Sequence, residues 1–242
     1  MKSLRVSYLD RVRSLKSRLK IFISINLVLI KCESAMNGKV FITLSGADGS
    51  GKTTATRFLT SYFFRHGNVC VHWFRGSHLF VSVLARFLHR FRPFHGSCNP
   101  YYRVCIPRGL KGVWFFLEFV FILPHLFARF LLGRVCRVII CDRGLLDFLV
   151  WLVATLDAPW VLRSVIGRLL LGLVSRANVV YLYADLDTLV KRADTPKGFI
   201  AKELAVYSVL VRYFARCIIN TGKNRPTRVV AEVLRCLERR RR

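Results

Sequence analysis

Apolar residues along this chain fall into two kinds of run. The first kind is short and unbroken: Val40-Phe41-Ile42-Thr43-Leu44-Ser45, Val69-Cys70-Val71-His72-Trp73-Phe74, Arg137-Val138-Ile139-Ile140-Cys141-Asp142, Asn178-Val179-Val180-Tyr181-Leu182-Tyr183 and Arg216-Cys217-Ile218-Ile219-Asn220. Each has the length of a strand, and several neighbouring positions are apolar rather than every second one. That predicts five strands buried on both faces of a parallel sheet. The second kind is longer, with apolar residues three and four apart. It predicts helices from Thr54 to Phe64, over 79–91, 145–156 and 159–173, from Leu186 to Arg192, from Phe199 to Ala215, and from Pro226 onward. Strand and helix alternate along the chain, which is the signature of an α/β fold.

Three stretches fall outside this alternation. Residues 92–112 hold Pro93, Pro100 and Pro107 with Arg103, Arg108 and Lys111, a long loop of the kind that serves as a functional flap. Val113 to Leu132 is the most hydrophobic stretch and long enough to span a bilayer. Glu118, Pro124, His125 and Arg129 interrupt it, and it lies between soluble-looking α/β units, so a buried helix is predicted. Residues 1–35 place Arg5, Arg11, Arg13, Lys16, Arg18 and Lys20 before a short apolar run, Ile21 to Ile30. An export signal, an interfacial anchor and a mis-assigned start are the competing readings. Met36 directly precedes the first strand, and we take 36–242 as a single domain preceded by a dispensable extension.

The turn after the first strand carries the chemistry. Gly46-Ala47-Asp48-Gly49-Ser50-Gly51-Lys52-Thr53 fits G-x-x-x-x-G-K-[ST], the phosphate-cradling loop, in its expected setting between strand and helix. Glycines at 46, 49 and 51 let backbone N–H groups converge on one anion, and the positive end of the following helix adds to the field. Lys52 reaches the β- and γ-phosphates, and the Thr53 hydroxyl is a ligand for Mg²⁺. Gly46, Asp48, Gly49, Ser50, Gly51, Lys52, Thr53 and Thr54 are thus the candidate ATP contacts.

Charge agrees with an anionic ligand. The chain of 242 residues has 40 Lys and Arg against 13 Asp and Glu, a net charge of +27, while 53% hydrophobic residues exclude a disordered chain. Nucleotides, nucleic acid and an acidic membrane surface all satisfy that charge, as does a merely solvated basic surface. The eight cysteines contain no C-x-x-C pair, and His89, His95, Cys98 and Cys105 match no standard zinc framework. Their pairing as disulfides cannot be read from spacing.

Further candidates stand at strand ends, where open α/β sheets bind ligands. Arg75 follows the second strand and suits an acceptor phosphate or sugar. Asp142 and Arg143 end the third. If that strand neighbours the first, Asp142 lies opposite Thr53, where it either holds Mg²⁺ through water or takes a proton from the attacking oxygen. Arg143 would then face the transferred phosphoryl or the acceptor phosphate, and Asp147, one turn on, points the same way as a further contact to the acceptor. The basic segment 191–199, with Lys191, Arg192 and Lys197, has the shape of a lid that excludes water. The turn Thr221 to Arg225 offers a place for adenine.

In combination these residues resemble the thymidylate kinase family of nucleoside monophosphate kinases, closest to its divergent archaeal members, over about residues 38–238. The resemblance implies a doubly wound five-stranded parallel sheet flanked by helices, ATP and Mg²⁺, and transfer of the γ-phosphoryl to a nucleoside monophosphate such as dTMP. It implies that Asp48 contacts the acceptor sugar, Arg75 the acceptor phosphate, and Asp142 with Arg143 the metal, proton and phosphate. No arginine stands inside the loop, so Arg192 or a lysine of the lid would supply the catalytic cation. Such kinases are commonly dimers, so the resemblance allows a homodimer without fixing the oligomeric state, and a cytoplasmic location is the expectation. Two family features differ: Arg75-Gly76-Ser77-His78 replaces Arg-Glu-Pro-Gly, and Gly144 to Leu149 replaces the segment that reads thymine. A kinase for a nucleoside or a lipid-linked alcohol, and a nucleotide-dependent nucleic-acid-binding protein, are the alternatives.

Overall fold

The computed structural model describes residues 40–65, 67–74 and 80–238, so the extension 1–35, Arg75 and the four terminal arginines lie outside the described residues. The strands are β1 Val40–Ser45, β2 Val69–Trp73, β3 His95–Asn99, β4 Val138–Asp142, β5 Val179–Tyr183 and β6 Ala215–Asn220. The helices are α1 Lys52–Phe64, α2 Phe80–Leu88, α3 Lys111–Val135, α4 Leu145–Leu156, α5 Val165–Arg176, α6 Leu186–Arg192, α7 Lys197–Phe214 and α8 Pro226–Glu238. Every predicted sheet strand forms within a residue or two of its expected span.

Five strands make one parallel sheet in the order β2-β4-β1-β5-β6. The third apolar run therefore does neighbour the first, with Leu44 in register with Asp142. The unbroken runs serve both faces by alternation. Ile42, Leu44, Ile140, Val180 and Leu182 meet α1 and α8, while Val179 and Tyr181 meet α4 and α7 on the other side. Helix α4 is buried at all twelve positions, which explains its lack of a polar face. The arrangement is a doubly wound α/β sheet with helices on both faces.

Local chemistry accounts for the differences from the predicted elements. The stretch 159–173 divides into a 3₁₀ turn, Pro159–Arg163, and α5, because the Ser164 hydroxyl accepts from Gly167 N at 3.0 Å and starts a new helix. The 92–112 loop contains β3 and is tied by a disulfide between Cys98 and Cys105; two others join Cys70 to Cys136 and Cys217 to Cys236. Cys98 and Cys105 are bonded to each other, and among the described residues no His, Cys, Asp and Glu cluster could hold a metal. Helix α3 corrects the expectation of a buried helix. Trp114, Phe115, Glu118 and Ile122 enter the core, yet only 22% of its most apolar 18-residue stretch is buried.

Candidate active site

The loop between β1 and α1 needs glycine for reasons the coordinates make specific. A Cβ on Gly46 would stand 2.3 Å from the Leu182 carbonyl oxygen, and one on Gly49, at φ +81°, would stand 2.6 Å from that of Leu189. The loop is therefore wedged between the ends of β5 and α6, and only backbone fits there. Lys52 curls under it, donating to Gly46 O at 2.7 Å, Ala47 O at 2.8 Å and Ser50 Oγ at 3.2 Å. Burial and the nearby Arg143 charge push its pKa down to about 8.

The partner strand supplies the acids. Thr53 Oγ1 donates to Asp142 Oδ2 at 2.8 Å, joining residues 89 apart in sequence. Asp142 is buried, and its Oδ1 has no hydrogen-bond partner among the described residues. Next to it Arg143 sits at φ 76°, a left-handed conformation that is costly for a residue with a side chain. Its backbone is held on both sides, N–H to Leu44 O and carbonyl from Arg129 Nη2, each at 3.0 Å. The turn aims the guanidinium at Asp48, with which it forms an ion pair.

Asp48 gathers the rim of the site. One carboxylate oxygen takes Arg143; the other takes the Tyr101 hydroxyl from the 92–112 loop and Thr195 Oγ1 at 2.9 Å from the segment between α6 and α7. Burial alone would raise its pKa, but Arg143 and Lys52 outweigh it and hold the carboxyl well below the usual range. Two regions expected to close over a ligand thus meet the phosphate loop at one carboxylate. Between α6 and α7 Thr195 is buried, and Lys197, bound to Asp187 at 3.1 Å, is exposed.

Asp147 has a different set of partners from the acceptor contact expected of it. Its carboxylate accepts from Ser45 Oγ at 2.6 Å, Gly46 N at 3.0 Å, Gly144 N at 2.8 Å and Tyr207 OH at 2.7 Å. These bonds clamp the start of the loop to the start of α4. Arg192 lies beside Gly49, where an added Cβ would be 3.3 Å from its own, and its Nη1 donates to Thr221 O at 3.3 Å. The guanidinium therefore supports the turn after β6. Arg75 lies outside the described residues.

Four site residues were not anticipated. Tyr207 is fully buried against Asp147 and Gly46 O. Glu203, one turn earlier on α7, accepts from Asp48 N at 3.4 Å. Burial first, then the Asp48 charge, raises its pKa to about 7. Arg129 lies over the Phe74 ring at 4.3 Å and donates through Nε to His72 Nδ1 at 3.1 Å. Burial and Arg129 push His72 down to about 4, so its ring is neutral and accepts that proton. Tyr101 is the fourth. Each is one polar residue in an apolar or basic stretch, which gave no local signal; only the loop's length pointed to Tyr101.

Glu203 allows a pH test. Its folded pKa is raised, from 4.5 to about 7, so the folded chain holds the proton more tightly than the unfolded one. Its contribution to stability is fully present below about pH 4.5 and lost as pH rises through about 7. Glu203→Gln, which keeps the acceptor for Asp48 N, is expected to remove that decline from a plot of Tm against pH. Parallel slopes for the two proteins would contradict the assignment.

No known family profile matches the chain, and no curated protein matches it in sequence. Solved structures do match. Thymidylate kinase from Candida albicans superposes with a TM-score of 0.54 at 13% identity, over 84% of this chain and 92% of that one. Thymidylate kinase from Ehrlichia chaffeensis gives 0.50 at 16%, over 83% and 99%. Shikimate kinase from Acinetobacter baumannii gives 0.45 at 17%, over 85% and 97%. The likeness is one of fold: this chain shares the fold of these two thymidylate kinases, with a sequence far removed from theirs.

Proposed function

We propose that the protein is a cytoplasmic, ATP-dependent nucleoside monophosphate kinase, with dTMP as its acceptor. The observation that carries the reading is the Thr53–Asp142 bond, which sets a hydroxyl and a buried carboxylate at the mouth of the glycine loop. The Arg143–Asp48 pair on the adjoining rim supports it.

Loop N–H groups and the start of α1 would cradle the triphosphate, with Lys52 leaving the loop carbonyls for the β- and γ-oxygens. Mg²⁺ fits the residues present: it takes hard oxygen ligands, and Asp142 offers an unclaimed buried oxygen beside the Thr53 hydroxyl. When bound it would neutralise charge on the phosphates. Arg143, preset by its strained backbone, would orient the phosphate of the acceptor, and Asp48 its sugar, with Tyr101 carrying the flap to the same point. Transfer then depends on positioning and charge neutralisation. Arg192 reaches the transferred phosphoryl only by leaving Thr221, and Arg75 remains the proposed second anchor of the acceptor.

A kinase for another acceptor is the second reading, favoured by Gly144 to Leu149, where the only polar side chain, Asp147, is already occupied. Coupled ADP release with dTMP, dUMP, thymidine and a lipid-linked alcohol separates the readings. Turnover with dTMP, and none with thymidine, is the expected result. Turnover with thymidine alone would defeat the monophosphate assignment, and acceptor-independent ADP release would defeat a kinase altogether.

A further inference from the structure

Strand β3 stands outside the five-stranded sheet, and its sequence, His95-Gly96-Ser97-Cys98-Asn99, lacks the β-branched and large aromatic residues that favour strands. It pairs with the chain returning from its own turn, through Gly96 N to Arg103 O at 3.2 Å and Cys105 N to Phe94 O at 2.8 Å. A two-stranded hairpin of this kind is marginal in water. Asn99 and Val104 are buried, and Asn99 Oδ1 accepts from Tyr101 N at 3.0 Å and Tyr102 N at 3.3 Å. Arg103 completes the turn at φ 52°, a left-handed conformation that costs a residue with a side chain. Across this weak hairpin the chain adds a covalent tie, the Cys98–Cys105 disulfide.

The tie is placed to control Tyr101. The two cysteines are seven positions apart, and Tyr101 lies between them with its hydroxyl on Asp48. Tyr101 is itself 37% exposed, so the shape of the hairpin, more than a packed surround, decides where that hydroxyl goes. Gly96 leaves room for the bond, since a Cβ there would stand 2.2 Å from Cys105 Sγ. Cys98 and Cys105 are both partly exposed, which gives an attacking thiolate access to their sulfurs. By contrast, Cys136, bonded to Cys70, is 1% exposed, and the Cys217–Cys236 bond joins β6 to α8 instead.

We propose that the Cys98–Cys105 bond is a redox-responsive tie that governs how firmly the flap closes on the acceptor. The acceptor half of the inference rests on the kinase reading above; the tie itself rests on the fold alone. A thiolate of an external dithiol attacks one sulfur to give a mixed disulfide, and the second thiolate then displaces the protein as the dithiol closes into its own disulfide. Two electrons and two protons pass to the protein, and Cys98 and Cys105 become thiols. Opening the bond returns the loop freedom that ring closure had removed. Tyr101 then sits on Asp48 for a smaller fraction of the time. Because the seated flap walls the acceptor site, apparent acceptor affinity falls in proportion to that fraction. Asp48 keeps Arg143 and Thr195, so the phosphate loop is undisturbed.

The test poises the full chain in mixtures of reduced and oxidised dithiothreitol at fixed pH. Mass spectrometry of alkylated cysteines reports the bond, hydrogen exchange over 94–106 reports the hairpin, and coupled ADP release reports the acceptor. Once Cys98–Cys105 is reduced, exchange over that segment should quicken and KM for dTMP should rise about fivefold or more, with kcat changed by less than about twofold. Cys98→Ser with Cys105→Ser should reproduce that state and no longer respond to reductant. Cys217→Ser with Cys236→Ser should respond as wild type does. Tyr101→Phe should raise KM by itself and cancel the further effect of reduction on KM, which a bond serving stability alone would not do. Exchange is read on the wild-type chain, so a variant that misfolds leaves the test intact. A bond that stays closed in the reduced buffers would overturn the proposal. So would one that opens without quickening exchange, or without raising KM in an active enzyme. Absence of turnover with every acceptor would defeat the kinase reading, and the exchange result would still decide the tie.

Discussion

Lys52→Ala is expected to lower γ-phosphoryl transfer by 10²–10³-fold or more, the order associated with removing one preorganised charge-stabilising donor. The side chain is buried, and its ammonium already lies among three oxygens of the loop that would hold the phosphates. Its loss leaves those oxygens without their donor and removes a cation that lowers the Asp48 pKa, so a destabilisation of about 1–3 kcal/mol is expected, relieved in part because burial disfavours the charge. The expected pair of results is therefore a folded variant with a lowered Tm and near-complete loss of acceptor-dependent ADP formation. Wild-type kcat/KM for ATP should also fall above about pH 8, as the free enzyme's ammonium gives up its proton. A variant retaining more than about a tenth of wild-type activity would remove the glycine loop from the mechanism.

What could be read in advance followed from how local each signal was. The glycine loop announces itself because backbone geometry and phosphate chemistry restrict residue types within eight consecutive positions. Asp142 was legible at one remove: a strand-end carboxylate becomes meaningful once β4 lies beside β1, and buried apolar runs foretold the sheet though not its order. Glu203 and Tyr207 were not legible. On α7 they resemble the exposed polar face of any amphipathic helix, and only the packing of α7 under the loop makes them buried. In the sequence Arg129 is only a polar interruption of the α3 stretch, whereas in the fold it props the strained Arg143 backbone. The outward side of α3 misled for the opposite reason. Apolar composition ordinarily means burial inside the chain, and here most of the apolar stretch stays exposed on the described surface.

Asp147→Ala should have the largest effect on stability. Four donors converge on this one carboxylate: the Ser45 hydroxyl, the N–H groups of Gly46 and Gly144, and the Tyr207 hydroxyl. Alanine leaves them without an acceptor in a region water does not reach, at about 1–3 kcal/mol for each buried group left unsatisfied. Relaxation of the hydroxyls returns part of that, and a net loss of about 3–5 kcal/mol is expected, a Tm lower by roughly 10 °C for a domain of this size. Asp147→Asn separates two roles. Its amide keeps one acceptor oxygen but presents N–H groups to donors, so a merely structural residue would still cost stability. A residue that touched the acceptor would instead raise the acceptor KM while leaving Tm near wild type. The saturated carboxylate predicts the first pattern: a fall in Tm, with kcat reduced because Gly46 is no longer pinned, and acceptor KM changed by less than about threefold. The opposite split would return Asp147 to the acceptor site.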